Sequence, residues 1–120
     1  NIIMNIAIVG GRDFVDYELL KNELVKFIDE NEISPDAIVS GGAKGADSLA
    51  EKFAAENGFE MVVYKPEYEK FGRGACHARN TQIVEHSDVV FTFWDGKSKG
   101  TLDSINKAKK LEKRLFIVNY

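Results

Sequence analysis

Apolar residues along this chain come in two rhythms, and the two alternate. Short uninterrupted runs stand at Asn5–Val9 (Asn-Ile-Ala-Ile-Val), Ala37–Ser40, Glu60–Tyr64 (Glu-Met-Val-Val-Tyr), Asp88–Phe93 and Leu115–Asn119. Each is too short for a helix and reads as a buried strand. Between them, apolar residues recur at helical spacing. Leu20, Leu24, Phe27 and Ile28 do so within Asp16–Asn31, and Leu49, Ala50, Phe53 and Ala54 within Gly45–Asn57. Ala78, Ile83 and Val84 repeat the pattern from Ala75 to His86, as do Leu102, Ile105 and Ala108 within Thr101–Lys110. These predict four amphipathic helices. Ser34-Pro35-Asp36 breaks the first, Asn57-Gly58 caps the second, and Thr101 is a candidate N-cap for the last. Lys65–Gly74, with Pro66, Gly72 and Gly74 among charges and aromatics, reads as irregular. Strands alternating with helices mean βαβ units and a parallel sheet covered on both faces, an α/β fold. Right-handed crossovers leave few topologies, and the expected order is 3-2-1-4-5 within one domain, 1–120.

That topology says where chemistry belongs. Ligands of such sheets sit outside the carboxyl ends of the strands, where strand order reverses, here between the first and fourth strands. The loops at that edge are Gly10–Asp16, Ser40–Ala46, Tyr64–Asn80 and Trp94–Gly100. They carry Arg12, Lys44, Lys65, Lys70, Arg73, Arg79, Lys97 and Lys99 against Asp13, Asp16, Glu67, Glu69 and Asp95. The edge is thus positive although the whole chain has a net charge of −3. A local surplus of cations favours an anionic ligand.

One loop at this edge is built for such a ligand. Ser40-Gly41-Gly42-Ala43-Lys44-Gly45-Ala46-Asp47 leaves a strand, passes through three glycines and enters a helix. Glycine lets the backbone approach a ligand closely, and the helix start adds unpaired N–H groups and a positive dipole end. Together they form a cradle for phosphate. Asp47, in the first turn, is also favoured there by the dipole alone, so it is either a helix-start residue or a contact for a ligand hydroxyl. Trp94, Phe71 and Tyr68 read as packing residues first and as base-stacking platforms second.

Composition narrows the classes. Of 120 residues, 44% are hydrophobic and 29% charged, ordinary for a globular domain. The absence of an apolar run of about 18 residues predicts no membrane span, and Asn1–Ile8 lacks the make-up of a signal peptide. The single cysteine, Cys76, fits a reducing cytoplasm. Met4 is a candidate natural start, with Asn1–Ile3 an extension. His77 and His86 lack a supporting cluster, so no metal is expected, and no cofactor. The acidic balance weighs against nucleic acid as a partner, since a strand-binding groove needs cations well in excess of acids. Gly-x-x-x-x-Gly-Lys-Ser/Thr, Gly-x-Gly-x-x-Gly and Gly-x-Ser-x-Gly are all missing, which counts against a P-loop nucleotidase, a dinucleotide dehydrogenase and an α/β hydrolase.

Val9-Gly10-Gly11-Arg12-Asp13-Phe14, the Ser40–Asp47 loop followed by Leu49-Ala50, then Arg79-Asn80 and Gly100-Thr101, resemble the YspA, cpYpsA-related SLOG family over nearly the whole chain. The resemblance implies a Rossmann-like domain that binds a nucleotide or a nucleotide-derived ligand such as ADP-ribose or an NAD derivative, and by analogy a homodimer. The implied contacts are Gly10, Gly11, Arg12, Asp13, Phe14, Ser40, Gly41, Gly42, Ala43, Lys44, Gly45, Asp47, Arg79, Asn80, Gly100 and Thr101. Amides of Gly41–Gly45 and Gly100-Thr101 would grip phosphate, Arg12 and Arg79 would neutralise it, and Asp13 or Asp47 would take ribose hydroxyls.

Two wider relatives suggest alternatives. Cys76-His77-Ala78-Arg79-Asn80 looks similar to the Met-His-x-Arg-Lys motif of the LOG phosphoribohydrolases, which cleave the base from a nucleoside monophosphate. Their second motif, Pro-Gly-Gly-x-Gly-Thr-x-x-Glu, meets Gly100-Thr101 here, but Ser104 stands in place of the glutamate. Serine neither stabilises an oxocarbenium ion nor activates water. Asp103 is one residue away, rotated by about 100° on a helix. A hydrolytic site would therefore need Arg79 together with Asp47 or another loop carboxylate. The glycine loop also resembles that of the DNA-processing protein DprA, which implies single-stranded DNA.

Overall fold

The apolar runs form β1 (Asn5–Gly10), β2 (Ala37–Ser40), β3 (Glu60–Val63), β4 (Val89–Trp94) and β5 (Arg114–Asn119) in a computed structural model that describes residues 4–120. The expectation about Asn1–Ile3 lies outside the described residues. All pairings are parallel and the order is β3-β2-β1-β4-β5. Successive side chains of a strand point to opposite faces, so an unbroken apolar strand needs cover on both. Ile6, Ile8, Phe91 and Phe93 face one layer with Leu20, Leu24, Phe27, Ala50 and Phe53. Ala7, Val9, Val39 and Val90 face the other with Ile83, Val84 and Ala108. The strands in the middle of the sheet are sealed, while outer β3 and β5 are half-exposed.

The first layer is α1 (Tyr17–Asn31) and α2 (Ala46–Asn57). The second is α4 (Ala75–His86) and α5 (Lys99–Lys110). Asp16 caps α1, its Oδ1 accepting the Leu19 amide at 3.1 Å. Between β3 and α4 runs a segment read as irregular from sequence. It contains a one-turn helix, α3 (Tyr68–Phe71), and a 3₁₀ turn at Gly72–Gly74. One turn is too short to leave a periodic signal.

The start of α5 corrects the sequence expectation. The N-cap is Ser98, whose Oγ accepts the Thr101 amide, so Thr101 stands inside the first turn. Asp95 has already closed the preceding loop by accepting the Lys97 and Ser98 amides, each at 2.8 Å. Leu102, expected inward, is exposed, and the buried face of α5 is Thr101, Ser104, Ile105 and Ala108. Thr101 and Ser104 on that face border a cavity at the sheet edge. Among the described residues no helix is long and apolar enough to cross a membrane.

Candidate functional site

At the carboxyl edge of the sheet the bends after β1, β2 and β4 meet over one cavity of about 510 Å³. The β1 bend supplies Gly10, Gly11, Arg12 and Asp13, and the β2 bend supplies Ala43, with Asp47 from α2. Arg79 and Asn80 come from α4, and Asp95, Ser98, Gly100 and Thr101 from the β4 bend and the start of α5. A second cleft, about 640 Å³, opens on the far side of Arg12, Ala43 and Arg79 and is walled by Gly41, Gly42, Lys44, Lys65, Pro66 and Tyr68.

Small residues make this convergence possible. Gly42 and Gly45 have φ of +73° and +76°, a region that side chains rarely occupy. A Cβ on Gly45 would fall 2.2 Å from the Gly11 carbonyl oxygen, so the β2 bend leans directly on the β1 bend. The Ala46 amide fastens them by donating to Gly11 O at 3.1 Å. Gly10 lies where a Cβ would strike Phe93 O at 2.4 Å, and Gly11 lies beneath the Tyr120 hydroxyl. These two glycines are thus explained by packing. Gly100 has open space where its Cβ would be, on the cavity side of α5.

Arg79 is the centre of the site. It is 9% exposed and lines both clefts. Nη1 donates to Gly41 O at 2.9 Å and Nε to Asn80 Oδ1 at 3.0 Å. Among the described residues no carboxylate lies within ion-pair distance of it, nor of Arg12. Asn80 extends the network, donating to Gly100 O at 3.4 Å and to Asp103 Oδ2 at 3.0 Å. Asp103 in turn holds Lys107 at 2.7 Å and His77 at 3.2 Å. Burial pushes the Asp103 carboxyl up, but its bonds to Lys107, Asn80 and His77 outweigh that and hold it below the usual range.

The carboxylates of the cavity differ in kind. Asp47 is 5% exposed, and burial raises its pKa although the Ala43 amide, the Ser40 side chain, Arg79 and the Gly41 amide pull the other way. Asp13 Oδ1 accepts the Tyr120 hydroxyl at 2.6 Å. Asp95 is lowered, chiefly by the Ser98 and Lys97 amides. Asp47 alone of the three is buried, without an ion pair and, despite Arg79 nearby, raised in pKa by its burial.

The residues expected from sequence divide between the clefts. Gly10, Gly11, Arg12, Asp13, Ala43, Asp47, Arg79, Asn80, Gly100 and Thr101 line the first, while Gly41, Gly42 and Lys44 line the second with Arg12, Ala43 and Arg79. Three line neither. Phe14 is a core residue, stacked on Phe93 with ring centroids 4.9 Å apart. Ser40 is fully buried and donates its hydroxyl to Ile8 O at 2.6 Å. Gly45 serves the contact between bends. Ala43 is at the site, but its amide is taken by Asp47 Oδ2 at 3.2 Å. The amides of Gly42, Lys44 and Gly45 have no partner among the described residues. Ser104 lines the cavity and Asp103 does not, as the helical rotation between them requires. Cys76, Ser98 and Lys65 line the clefts without having been among the expected contacts, and Tyr120, outside both, holds Asp13 from behind. Lys65 and Ser98 sat in loops already marked as positive or glycine-bearing, whereas nothing in the sequence signalled that the last residue folds back over Gly11.

The model of the YspA, cpYpsA-related SLOG family matches residues 4–71. The chain belongs to that family. Gene 61 protein of Mycobacterium phage D29 is 31% identical over 113 residues, covering 88% of each chain. The family match stops before Arg79, Asn80, Gly100 and Thr101, so geometry alone joins these to the SLOG loop. Two solved structures share the fold. DNA processing protein A from Helicobacter pylori, which has a single-stranded DNA binding mode, aligns with TM-score 0.70 and 24% identity over 95% of this chain. DprA from Streptococcus pneumoniae aligns with TM-score 0.72 and 22% identity over 96%. The chain spans 64% and 50% of those two proteins. Both likenesses, under 25% identical, are likenesses of fold. Charge is segregated here, so the whole-chain sum says little about one edge.

Proposed function

We propose that this SLOG domain, over its whole length, binds a nucleotide or nucleotide-derived ligand of the ADP-ribose or NAD type at the carboxyl edge of the sheet. The observation that carries the reading is Arg79. A buried guanidinium with no carboxylate within ion-pair distance, and only the burial-raised Asp47 near it, is incompletely neutralised, and a cleft that borders it invites an anion. Arg79 presents a fixed fork to phosphate, Arg12 adds an exposed charge, and the free amides of Gly42 and Lys44 add donors. Asp13 and Asp47 suit ribose hydroxyls, because a carboxylate accepts where a hydroxyl donates. Titration calorimetry with AMP, ADP-ribose, cyclic ADP-ribose and NAD tests it. Binding of at least one below millimolar Kd is the expected result, and silence from all four defeats the reading.

A second reading, hydrolysis of the bound nucleotide, is favoured by Asp47. A carboxyl raised by burial beside a cationic phosphate anchor is suited to give its proton to the departing base nitrogen as the C–N bond breaks and water adds to the glycosidic carbon. Incubation of the same ligands with detection of free base decides between binding and turnover. Single-stranded DNA, suggested by the DprA likeness, predicts oligonucleotide binding that weakens steeply with salt.

A further inference from the structure

The two clefts differ in charge, and the difference specifies the ligand beyond a single phosphate. All three carboxylates, Asp13, Asp47 and Asp95, line only the first. The second has four cations in its wall, Arg12, Lys44, Lys65 and Arg79, and no acid. Among the described residues none of the four is in an ion pair. Arg12 and Arg79 belong to both clefts and form the seam between them. Lys65 lies along the glycine bend, its Cε 3.6 Å from where a Cβ on Gly42 would sit. Phosphate is repelled by the acidic first cavity and drawn to the seam and beyond it. A sugar, rich in hydroxyls, suits the carboxylates.

On the reading above, we infer that the ligand lies across the seam. The nucleoside occupies the first cavity, the first phosphate sits at Arg12 and Arg79, and at least one further phosphate reaches Lys44 and Lys65. The site therefore takes the diphosphate class, whether a nucleoside diphosphate or triphosphate or a diphosphate-linked sugar. A monophosphate leaves Lys44 and Lys65 without a partner.

Calorimetry with AMP, ADP, ATP, ADP-ribose and a short oligothymidylate on the intact chain, and on Lys44→Ala/Lys65→Ala, tests the inference. Both lysines are exposed, so the core is untouched, and circular dichroism checks the fold. ADP and ADP-ribose should bind roughly tenfold or more tighter than AMP, since charge-assisted contacts to phosphate are strong. The double variant should erase that advantage by lowering ADP and ADP-ribose affinity far more than AMP affinity. A benefit confined to ADP and ATP assigns the second cleft to free phosphate chains, and one shared by ADP-ribose assigns it to any diphosphate. AMP binding as tightly as ADP overturns the inference while leaving nucleotide binding intact. An advantage that survives the double variant overturns it too, as does an oligothymidylate that outbinds ADP and is lost in the variant. Failure of every mononucleotide defeats both readings.

Discussion

Arg79 Nη1 and the Gly41 carbonyl oxygen are 2.9 Å apart, joined across 38 residues of chain. This bond ties the glycine loop after β2 to α4 and holds the guanidinium where the two clefts meet. Glycine is required beneath it, because a Cβ on residue 41 would stand 2.4 Å from Nη1 and 2.9 Å from Asp47 Oδ2.

Gly41→Ala should therefore act as a ligand-site mutation. The residue has no left-handed φ to lose, so backbone strain is not the cause. The methyl must displace Arg79, which loses its aim. Affinity for the bound nucleotide should fall by roughly tenfold or more, while stability falls by only about 1 kcal/mol, the worth of one hydrogen bond. Calorimetry and urea unfolding on the same preparation separate the two effects, and a variant with unchanged affinity removes Arg79 from the site.

Replacing Arg79 itself separates charge from shape. Arg79→Ala leaves Gly41 O and Asn80 Oδ1 without their donor and should cost about 1–3 kcal/mol. Arg79→Lys restores the charge but cannot serve both acceptors and a phosphate at once, since it has no planar fork. Its affinity should lie between those of the wild type and the alanine variant. A lysine variant that binds as well as wild type shows that a point charge suffices.

Much of this was legible in the residues. The strand order followed from five short apolar runs and the handedness of crossovers, and the meeting of three bends followed from the strand order. Arg12 at the β1 bend, Asp47 at the start of α2 and Arg79 on α4, all singled out from sequence, line one cavity. The misreadings have a common physical source, that type and spacing do not report direction. Phe14 stands in a motif of expected ligand contacts yet points into the core, and Leu102 has helical spacing yet points outward, because the buried stripe of α5 runs through Thr101, Ser104, Ile105 and Ala108 and leaves Leu102 at its side. The seating of Tyr120 over Gly11 depends on a contact across 107 residues, which no local pattern encodes.

Phe14 gives a direct check on that correction. It is 1% exposed and packs between Phe93 and Tyr120, with centroids at 4.9 and 4.8 Å. Phe14→Leu keeps an apolar side chain but loses the stacking and leaves a small void, at about 1–2 kcal/mol. Ligand affinity should stay within about twofold of wild type. A loss of affinity without a loss of stability would return Phe14 to the binding site.

Asp47 makes the pH dependence of stability a test of the cavity's electrostatics. Burial raises its folded pKa above the ordinary value of 3.8. Below that value both folded and unfolded chains hold the proton, and Asp47 contributes no slope. As pH rises above 3.8 the unfolded chain releases its proton first, so the folded chain binds more protons and stability declines with pH. The decline ends only once the folded carboxyl has also ionised. Asp47→Asn has nothing to titrate and can still accept the Ala43 amide. Its stability relative to wild type should therefore rise as pH is raised through this window and level off above it, measured as urea midpoints at a series of pH values. A difference that stays constant with pH, or that runs the other way, means that Arg79 and the loop amides hold Asp47 ionised, and the proton-passing role suggested for it fails with that result.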